Sequence, residues 1–133
     1  AVVVKHMLGK IDNITKSRIS NALYLDDKLN GISEIDIPKR NNDVKEVFHL
    51  YMFRANKRDE LQQYLISKKI DAKVHYPIPM HLQEAAKKYG YTEGDFPVCE
   101  MAGKSVISFP VHEFVTKNDL DKIVDHVKSF YGV

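Results

Sequence analysis

The chain has 133 residues, of which 44% are hydrophobic and 29% charged, and its net charge is only +2. These values are typical of one globular domain or part of one, and they give no support for a nucleic-acid-binding or polybasic membrane surface. No apolar run approaches the ~20 residues that a membrane helix requires. The single cysteine, Cys99, excludes an internal disulfide and fits a reducing cytoplasm. We therefore expect a cytoplasmic protein without nucleic-acid or membrane partners.

Apolar residues recur at helical spacing through the first 29 residues, and Asn30-Gly31 follows as a stop signal. The spacing predicts a long helix over residues 2–29 that projects past its domain or bends near Gly9. The chain begins AVVVKHMLG, which resembles a sequence entered in the middle of a structural element. We therefore expect a piece of a longer protein, in which the apolar side of this helix packs against a partner.

The next segments predict a loop, a strand and a helix. Residues 32–46 are polar and are predicted to be a connecting loop. The run VFHLYMFRA, Val47 to Ala55, is rich in β-branched and aromatic residues, which predicts a strand buried on both faces with His49 in the core. Asn56 is the predicted N-cap of a helix that ends near Lys69.

The C-terminal half predicts short strands interleaved with helices. The predicted strands are 70–74 and 105–109, and the predicted short helices are 82–89, ended by Gly90, and 95–104. Thr116 and Asp119 form a capping-box pattern before the last and clearest helix. The fold class is therefore mixed α and β, with a small sheet of about three strands.

Stand-alone catalytic motifs are absent from the sequence. There is no glycine-rich phosphate loop and no H-E-x-x-H pattern. His75 and His81 are six residues apart and far from the only cysteine, so we expect no metal site. Cys99 is interpreted as a buried small residue, and Arg54 and Arg58 as solvated or ion-paired side chains.

The segment VHYPIPMHLQ, residues 74–83, is enriched in histidine and proline. Pro77 and Pro79 fix their own backbone angles, and the residue before each proline, such as Tyr76, is expected to be extended. A polyproline II conformation would place three residues on one side, namely His75, Ile78 and His81. Two interpretations stay open: a stiff connector, or a rigid ligand site whose imidazole and phenol groups donate hydrogen bonds to anionic oxygens such as those of phosphate.

Three segments occur in a diagnostic order: HLYMFRANKRDEL, KKIDAKVHYPIPMHLQ and GYTEGDFPVCEMAGKSVISFP. With the helix that follows Thr116, they resemble the C-terminal part of pyridoxal-phosphate (PLP)-dependent nucleotide-sugar aminotransferases of the DegT or StrS type. The resemblance covers essentially the whole chain. It implies that residues 1–31 are the long interdomain helix and residues 32–133 the small C-terminal domain of a type I aminotransferase fold.

The resemblance also implies an activity for the complete enzyme. Such enzymes are homodimers that move an amino group from an amino acid, typically glutamate, to a nucleotide-linked keto sugar. The cofactor is held as a Schiff base to a lysine of the large domain. Because no segment here matches that lysine's segment, we expect no catalytic residue in this chain, no identifiable cofactor-binding residue, and no activity from the fragment alone.

Candidate site residues come from the same resemblance. His75 and Tyr76 match the family's His-Tyr-Pro segment near the nucleotide-sugar and cofactor pocket, and His81 is a further candidate at the pocket edge. All three are expected to bind and orient substrate through hydrogen bonds. Two alternatives stay open: a PLP-dependent sugar dehydratase of the same fold, and a free-standing interaction domain whose N-terminal helix is a docking surface.

Overall fold

The computed structural model describes residues 2–133 and contains α-helices, two 3-10 turns and one sheet. The helices are α1 (Val2–Leu8), α2 (Ile11–Leu29), α3 (Arg58–Ser67), α4 (Pro97–Ser105) and α5 (Lys117–Tyr131). The strands are β1 (Ile35–Asp36), β2 (Tyr51–Ala55) and β3 (Val106–Phe109), and the 3-10 turns are Met80–Leu82 and Glu84–Tyr89. The predicted class, mixed α and β with a sheet of about three strands, is confirmed.

The sheet is antiparallel with the order β1-β2-β3. Tyr51 lies opposite Phe109 and Phe53 opposite Ile107. The rings of Phe53 and Phe109 meet edge to face at a centroid distance of 4.9 Å, a favourable geometry for aromatic pairs. Beyond β3, one isolated bridge at Lys73 replaces the strand predicted over residues 70–74.

The core lies between one face of this sheet and helices α2, α3 and α5. Its members are buried apolar side chains from all of these elements: Ala22, Leu25, Leu29, Tyr51, Phe53, Ala55, Leu61, Leu65, Ile107, Phe109, Leu120, Ile123, Val124 and Val127. The C-terminal half of α2 therefore belongs to the common core. The division at residue 31 stays a prediction.

The predicted long N-terminal helix is broken where a bend was expected. Gly9 and Lys10 separate α1 from α2. Helix α1 has no buried residue and exposes its valines, Met7 and Leu8. Within residues 2–133, no helix combines the length and the hydropathy needed to cross a membrane.

The prediction that Val47 to Ala55 is a strand buried on both faces is wrong. Phe48 has a left-handed backbone (φ +49°), so the strand begins only at Tyr51. Burial then alternates along β2, and Met52 and Arg54 face outward. The helices pack on one face of an antiparallel sheet, which leaves the other face partly open. His49 precedes the strand and is exposed rather than in the core.

Two details of the predicted helices also need correction. Asn56 does not cap α3, because Lys57 occupies the cap position with a left-handed backbone (φ +52°) and no side-chain cap bond is present. Cys99 is exposed on α4 rather than buried, because the buried residue of that helix is the adjacent Glu100. Strand β1 was missed inside a predicted loop, since two residues carry too little periodicity to detect.

Both arginines near the start of α3 are paired. Arg54 forms an ion pair with Asp36 across β1 and β2. Arg58 is buried and donates to the backbone oxygens of Val106 at 2.8 Å and Gly103 at 2.9 Å. The interpretation of Arg58 as ion-paired is confirmed by its contact with Asp59, and it also joins α3 to the junction of α4 and β3.

The predicted capping box of α5 is confirmed: the Thr116 hydroxyl accepts from the Asp119 amide and the Asp119 carboxylate accepts from the Thr116 amide. We expect Thr116→Ala to lower the free energy of unfolding by about 0.5–2 kcal/mol, because the Asp119 amide loses its side-chain acceptor and the Asp119 carboxylate loses the bond from the Thr116 hydroxyl. Urea denaturation measures this. Ser129→Ala, at an exposed position inside α5, is the matched control and should not destabilise. Equal stabilities of the two variants would contradict the role of the cap.

Candidate functional site

The first anchor of the segment 74–83 is its bridge to β3. The Lys73 amide donates to the Ser108 carbonyl at 3.0 Å, and the Ser108 amide donates to the Lys73 carbonyl at 2.8 Å. The Ser108 hydroxyl adds a bond to the same Lys73 oxygen at 3.2 Å. Because β3 is a core strand, this bridge fixes the position of the backbone just before His75.

The second anchor is a close approach to α4. A Cβ placed on Gly103 would lie 3.3 Å from Pro79 Cδ and 3.4 Å from the Pro77 oxygen, which is tighter than ordinary van der Waals contact. Glycine at this helix position therefore lets the proline pair rest directly on the α4 backbone. On the other side, the Gln83 side chain donates to the Ile78 oxygen at 3.3 Å.

The third anchor is a buried pair between His81 and Glu100 of α4. The His81 Nε2 to Glu100 Oε1 distance is 3.0 Å, and the side chains are 7% and 10% exposed. The same carboxylate accepts from the amides of Gly94 at 2.9 Å and Phe96 at 3.3 Å. The His81 ring also packs on Phe96 at 4.8 Å. Glu100 thus joins two separate segments to one helix.

The environment of Glu100 favours its charged form. Burial by itself would raise the pKa of this carboxyl, but the hydrogen bonds from the Gly94 amide, His81 and the Phe96 amide outweigh burial and lower it. A carboxylate with these donors satisfies several lone pairs at once, which is how proteins accommodate a buried charge.

The three predicted site residues lie in different environments. His75 Nε2 is buried and has no hydrogen-bond partner among residues 2–133. Tyr76 is 79% exposed. His81 is buried against Glu100, so the structure does not bring the three side chains together at one site. The assignment of all three to substrate binding stays a prediction.

The polyproline II arrangement of this segment is wrong. Tyr76 has a left-handed backbone (φ +55°) instead of the extended one expected before proline. The residues on the outer side are consequently Tyr76, Ile78 and Met80, all of which are exposed. The tertiary anchors on both sides impose the turn at Tyr76 that the local preference disfavours.

His75 lies in a groove of about 230 Å³ between the segment and the loops that flank β2 and β3. Lys73 is paired with Asp71 at 3.1 Å, and Arg18 lies 3.9 Å from Glu113. The polar residues that line the groove are Arg18, His49, Asp71, Lys73, His75, Ser108 and His112. Such a surface can hold an anionic oxygen-rich group by hydrogen bonds and charge.

The groove walls are held by α2. Arg18 Nη1 donates to the Phe48 and His49 oxygens, both at 3.2 Å. Asn21 Nδ2 donates to the oxygens of Val111 at 3.3 Å and His112 at 3.2 Å. Helix α2 therefore fixes both loops that face His75.

Sequence reasoning missed Arg18, Lys73 and His112 as members of the groove. The one usable signal was Arg18, a charged residue within the apolar helical stripe of α2, which is typical of a side chain with a specific partner. The other two carry no local pattern. Only the Lys73 bridge and the turn after β3 bring them to His75.

Neither a metal nor a closed PLP site fits the described residues. Within residues 2–133, no group of three histidine, cysteine or acidic side chains is arranged to hold a metal ion. A Schiff-base lysine needs an enclosed pocket, whereas every lysine of this part of the chain is at least partly exposed. His75 Nε2 is a single orphaned donor or acceptor at an open groove, which by itself is not a cofactor cradle.

Residues 1–128 match the DegT/DnrJ/EryC1/StrS aminotransferase family. The chain belongs to this family. The predicted resemblance is therefore confirmed, and the antiparallel sheet with its helices is the family's fold over this part of the chain.

Several members are similar over much of this chain. A "pleiotropic regulatory protein" of Geobacillus stearothermophilus is 38% identical over 71% of this chain and 25% of its own length. The dTDP-3-amino-3,4,6-trideoxy-alpha-D-glucose transaminase of Streptomyces venezuelae is 29% identical over 98% of this chain and 34% of its own. The crystal structure of S. venezuelae DesV in complex with a ketimine intermediate superposes with a TM-score of 0.93 and 28% identity, covering 98% of this chain and 35% of that one. The chain thus spans between a quarter and about a third of these family members.

The lowered pKa of Glu100 predicts a pH dependence for the third anchor. A carboxyl whose folded pKa is below its unfolded value stabilises the fold fully above the unfolded value, and this contribution is lost as the pH falls through the folded pKa. We therefore expect the Gly94 and Phe96 amides to exchange faster with solvent as the pH drops below Glu100's ordinary value, after correction for intrinsic exchange. Hydrogen exchange measured by NMR checks this. A protection that is constant from pH 5 to pH 3 would contradict it.

Proposed function

We propose that this chain is the small C-terminal domain, with the interdomain helix of residues 1–31, of a PLP-dependent sugar aminotransferase. The complete enzyme would move an amino group from an amino acid, typically glutamate, to a nucleotide-linked keto sugar. Membership of the aminotransferase family and the similarity to the dTDP-amino-sugar transaminase of Streptomyces venezuelae support this. They do not favour the dehydratase or the free-standing interaction domain.

The observation that carries the proposal for this chain is the buried, unpartnered Nε2 of His75 beside a groove. An unpaired buried nitrogen is costly, so its presence at a cavity is best explained by a ligand that supplies the partner. The exposed Tyr76 hydroxyl is adjacent on the chain. Both groups can donate or accept hydrogen bonds at the phosphate or sugar oxygens of a nucleotide sugar.

The remaining residues have supporting roles in this proposal. Arg18 and Lys73, each of which also pairs with a carboxylate, can donate to the phosphate oxygens of a diphosphate-linked substrate. His81 lies at the pocket edge in this proposal. Because its Nε2 is bonded to Glu100, it would contribute by holding the segment 74–83 in place. The exposed apolar side of α1 would pack on the rest of the enzyme.

The cofactor and the assembly belong to the same proposal. PLP, when bound, supplies the electron sink for amino transfer, and the described residues bind and orient the substrate around it. We propose that the 133 residues alone are inactive and that the complete enzyme is a cytoplasmic homodimer.

The placement of the cofactor is testable by comparing two proteins: the 133-residue chain and the product of the complete reading frame that encodes it. We expect the second to retain PLP through gel filtration, seen by visible absorbance, and to form 2-oxoglutarate from glutamate with a dTDP-linked keto sugar. The first should do neither. Stable covalent PLP on the 133 residues would contradict the proposal, and sugar dehydration without 2-oxoglutarate would favour the alternative reaction.

Substitution of His75 and Tyr76 tests substrate binding directly. We expect Tyr76→Phe and His75→Leu to raise KM for the keto sugar about threefold to tenfold, because each removes one hydrogen bond worth roughly 1 kcal/mol. Steady-state kinetics measures the change. Tyr89→Phe is the matched control, since Tyr89 is an exposed tyrosine outside the groove. If Tyr76→Phe and His75→Leu behave like this control, the two residues do not bind substrate.

A further inference from the structure

Among the described residues, Glu100 is the one carboxylate that binds both the segment 74–83 and the 91–96 loop. Its oxygens accept from His81 of the segment 74–83 and from the amides of Gly94 and Phe96 in the 91–96 loop. The first partner lies 19 residues before it. Two stretches that meet α4 from different directions are therefore both bound by this single side chain.

Both stretches present exposed aromatic or apolar groups. The segment 74–83 exposes Tyr76, Ile78 and Met80, and the loop exposes Tyr91 and part of Phe96. Phe96 packs against the His81 ring at 4.8 Å and the Tyr91 ring at 5.1 Å. The ring of Phe96 thus touches a group from each stretch, directly above the Glu100 contacts.

The other link between the loop and α4 is weak. Lys104 pairs with Glu93 at 3.2 Å, but both side chains are more than 70% exposed. Exposed pairs of this kind contribute about 0–1 kcal/mol. Glu100 is buried, and breaking a buried charged contact costs more because the remaining donors lose their partner.

We propose that Glu100 is a positioning residue that sets the placement of both the segment 74–83 and the 91–96 loop at the substrate-binding surface. The placement of the two stretches is inferred from the hydrogen bonds alone. That the surface binds a substrate rests on the proposed function. Glu100 touches no substrate. It acts through His81 and through the two backbone amides, so its loss changes how well the surface fits a substrate and leaves the reacting atoms unaltered.

The test uses Glu100→Gln in the enzyme expressed from the complete reading frame. The variant keeps the size of the side chain and removes its charge and one acceptor oxygen. We expect hydrogen–deuterium exchange, followed by mass spectrometry, to speed about tenfold in peptides covering 76–83 and 91–98 together, with the peptide covering β2 unchanged. KM for a dTDP-linked keto sugar should rise about tenfold while kcat stays within threefold.

Three further variants make the outcome decisive. Glu93→Gln removes the exposed link from the same loop to the same helix, and it should change neither exchange nor KM. His81→Gln keeps a side-chain nitrogen donor and should retain more protection in 76–83 than His81→Leu. Faster exchange in both peptides of the Glu100→Gln variant, together with a higher KM and a kcat within threefold of wild type, supports the proposal.

Loosening of one peptide only, or a fall in kcat with KM unchanged, would overturn it, because a merely structural residue lowers the amount of active enzyme and not its affinity. If the wild-type enzyme transfers no amino group at all, the proposed function fails. The exchange of the two peptides then still decides whether Glu100 places both stretches.

Discussion

The antiparallel pairing of β2 with β3 is the interaction on which the rest of this domain depends. It places Tyr51 and Phe53 opposite Phe109 and Ile107, and this apolar face is what α2, α3 and α5 cover. The other edge of β3 is also used, because Ser108 bonds Lys73 there. The same strand therefore anchors the core and the start of the candidate site, so the site inherits the rigidity of the core.

The candidate site combines this rigid support with an open surface. Helix α2 fixes the loops that face His75 through Arg18 and Asn21, and α4 fixes the proline-rich segment through Gly103 and Glu100. What these supports leave unsatisfied is the His75 nitrogen. This unpartnered nitrogen is the observation behind the proposal that His75 binds substrate.

A second carboxylate, the partly buried Asp26 of α2, holds the segment that precedes β2. Asp26 makes two bonds of 2.9 Å with Arg40 and accepts from the Tyr51 hydroxyl at 2.8 Å. Burial and the nearby Asp26 charge raise the pKa of Tyr51, so this phenol stays protonated and remains a donor. Arg40 in turn lies over the Phe48 ring, and this holds the loop before β2 against the core.

The sequence by itself determined the fold class, the family, helix α5 with its capping box, and the end of the Glu84–Tyr89 turn at Gly90. These features depend on local capping groups, periodicity and short motifs. It also located the segment 74–83 as unusual. Only the tertiary structure decided that Tyr76 turns left-handed, that His81 faces Glu100, and that His49 is exposed. Each of these results from contacts between residues far apart in the chain. Such contacts outweigh a local backbone preference of about 1–3 kcal/mol, and no local pattern records them.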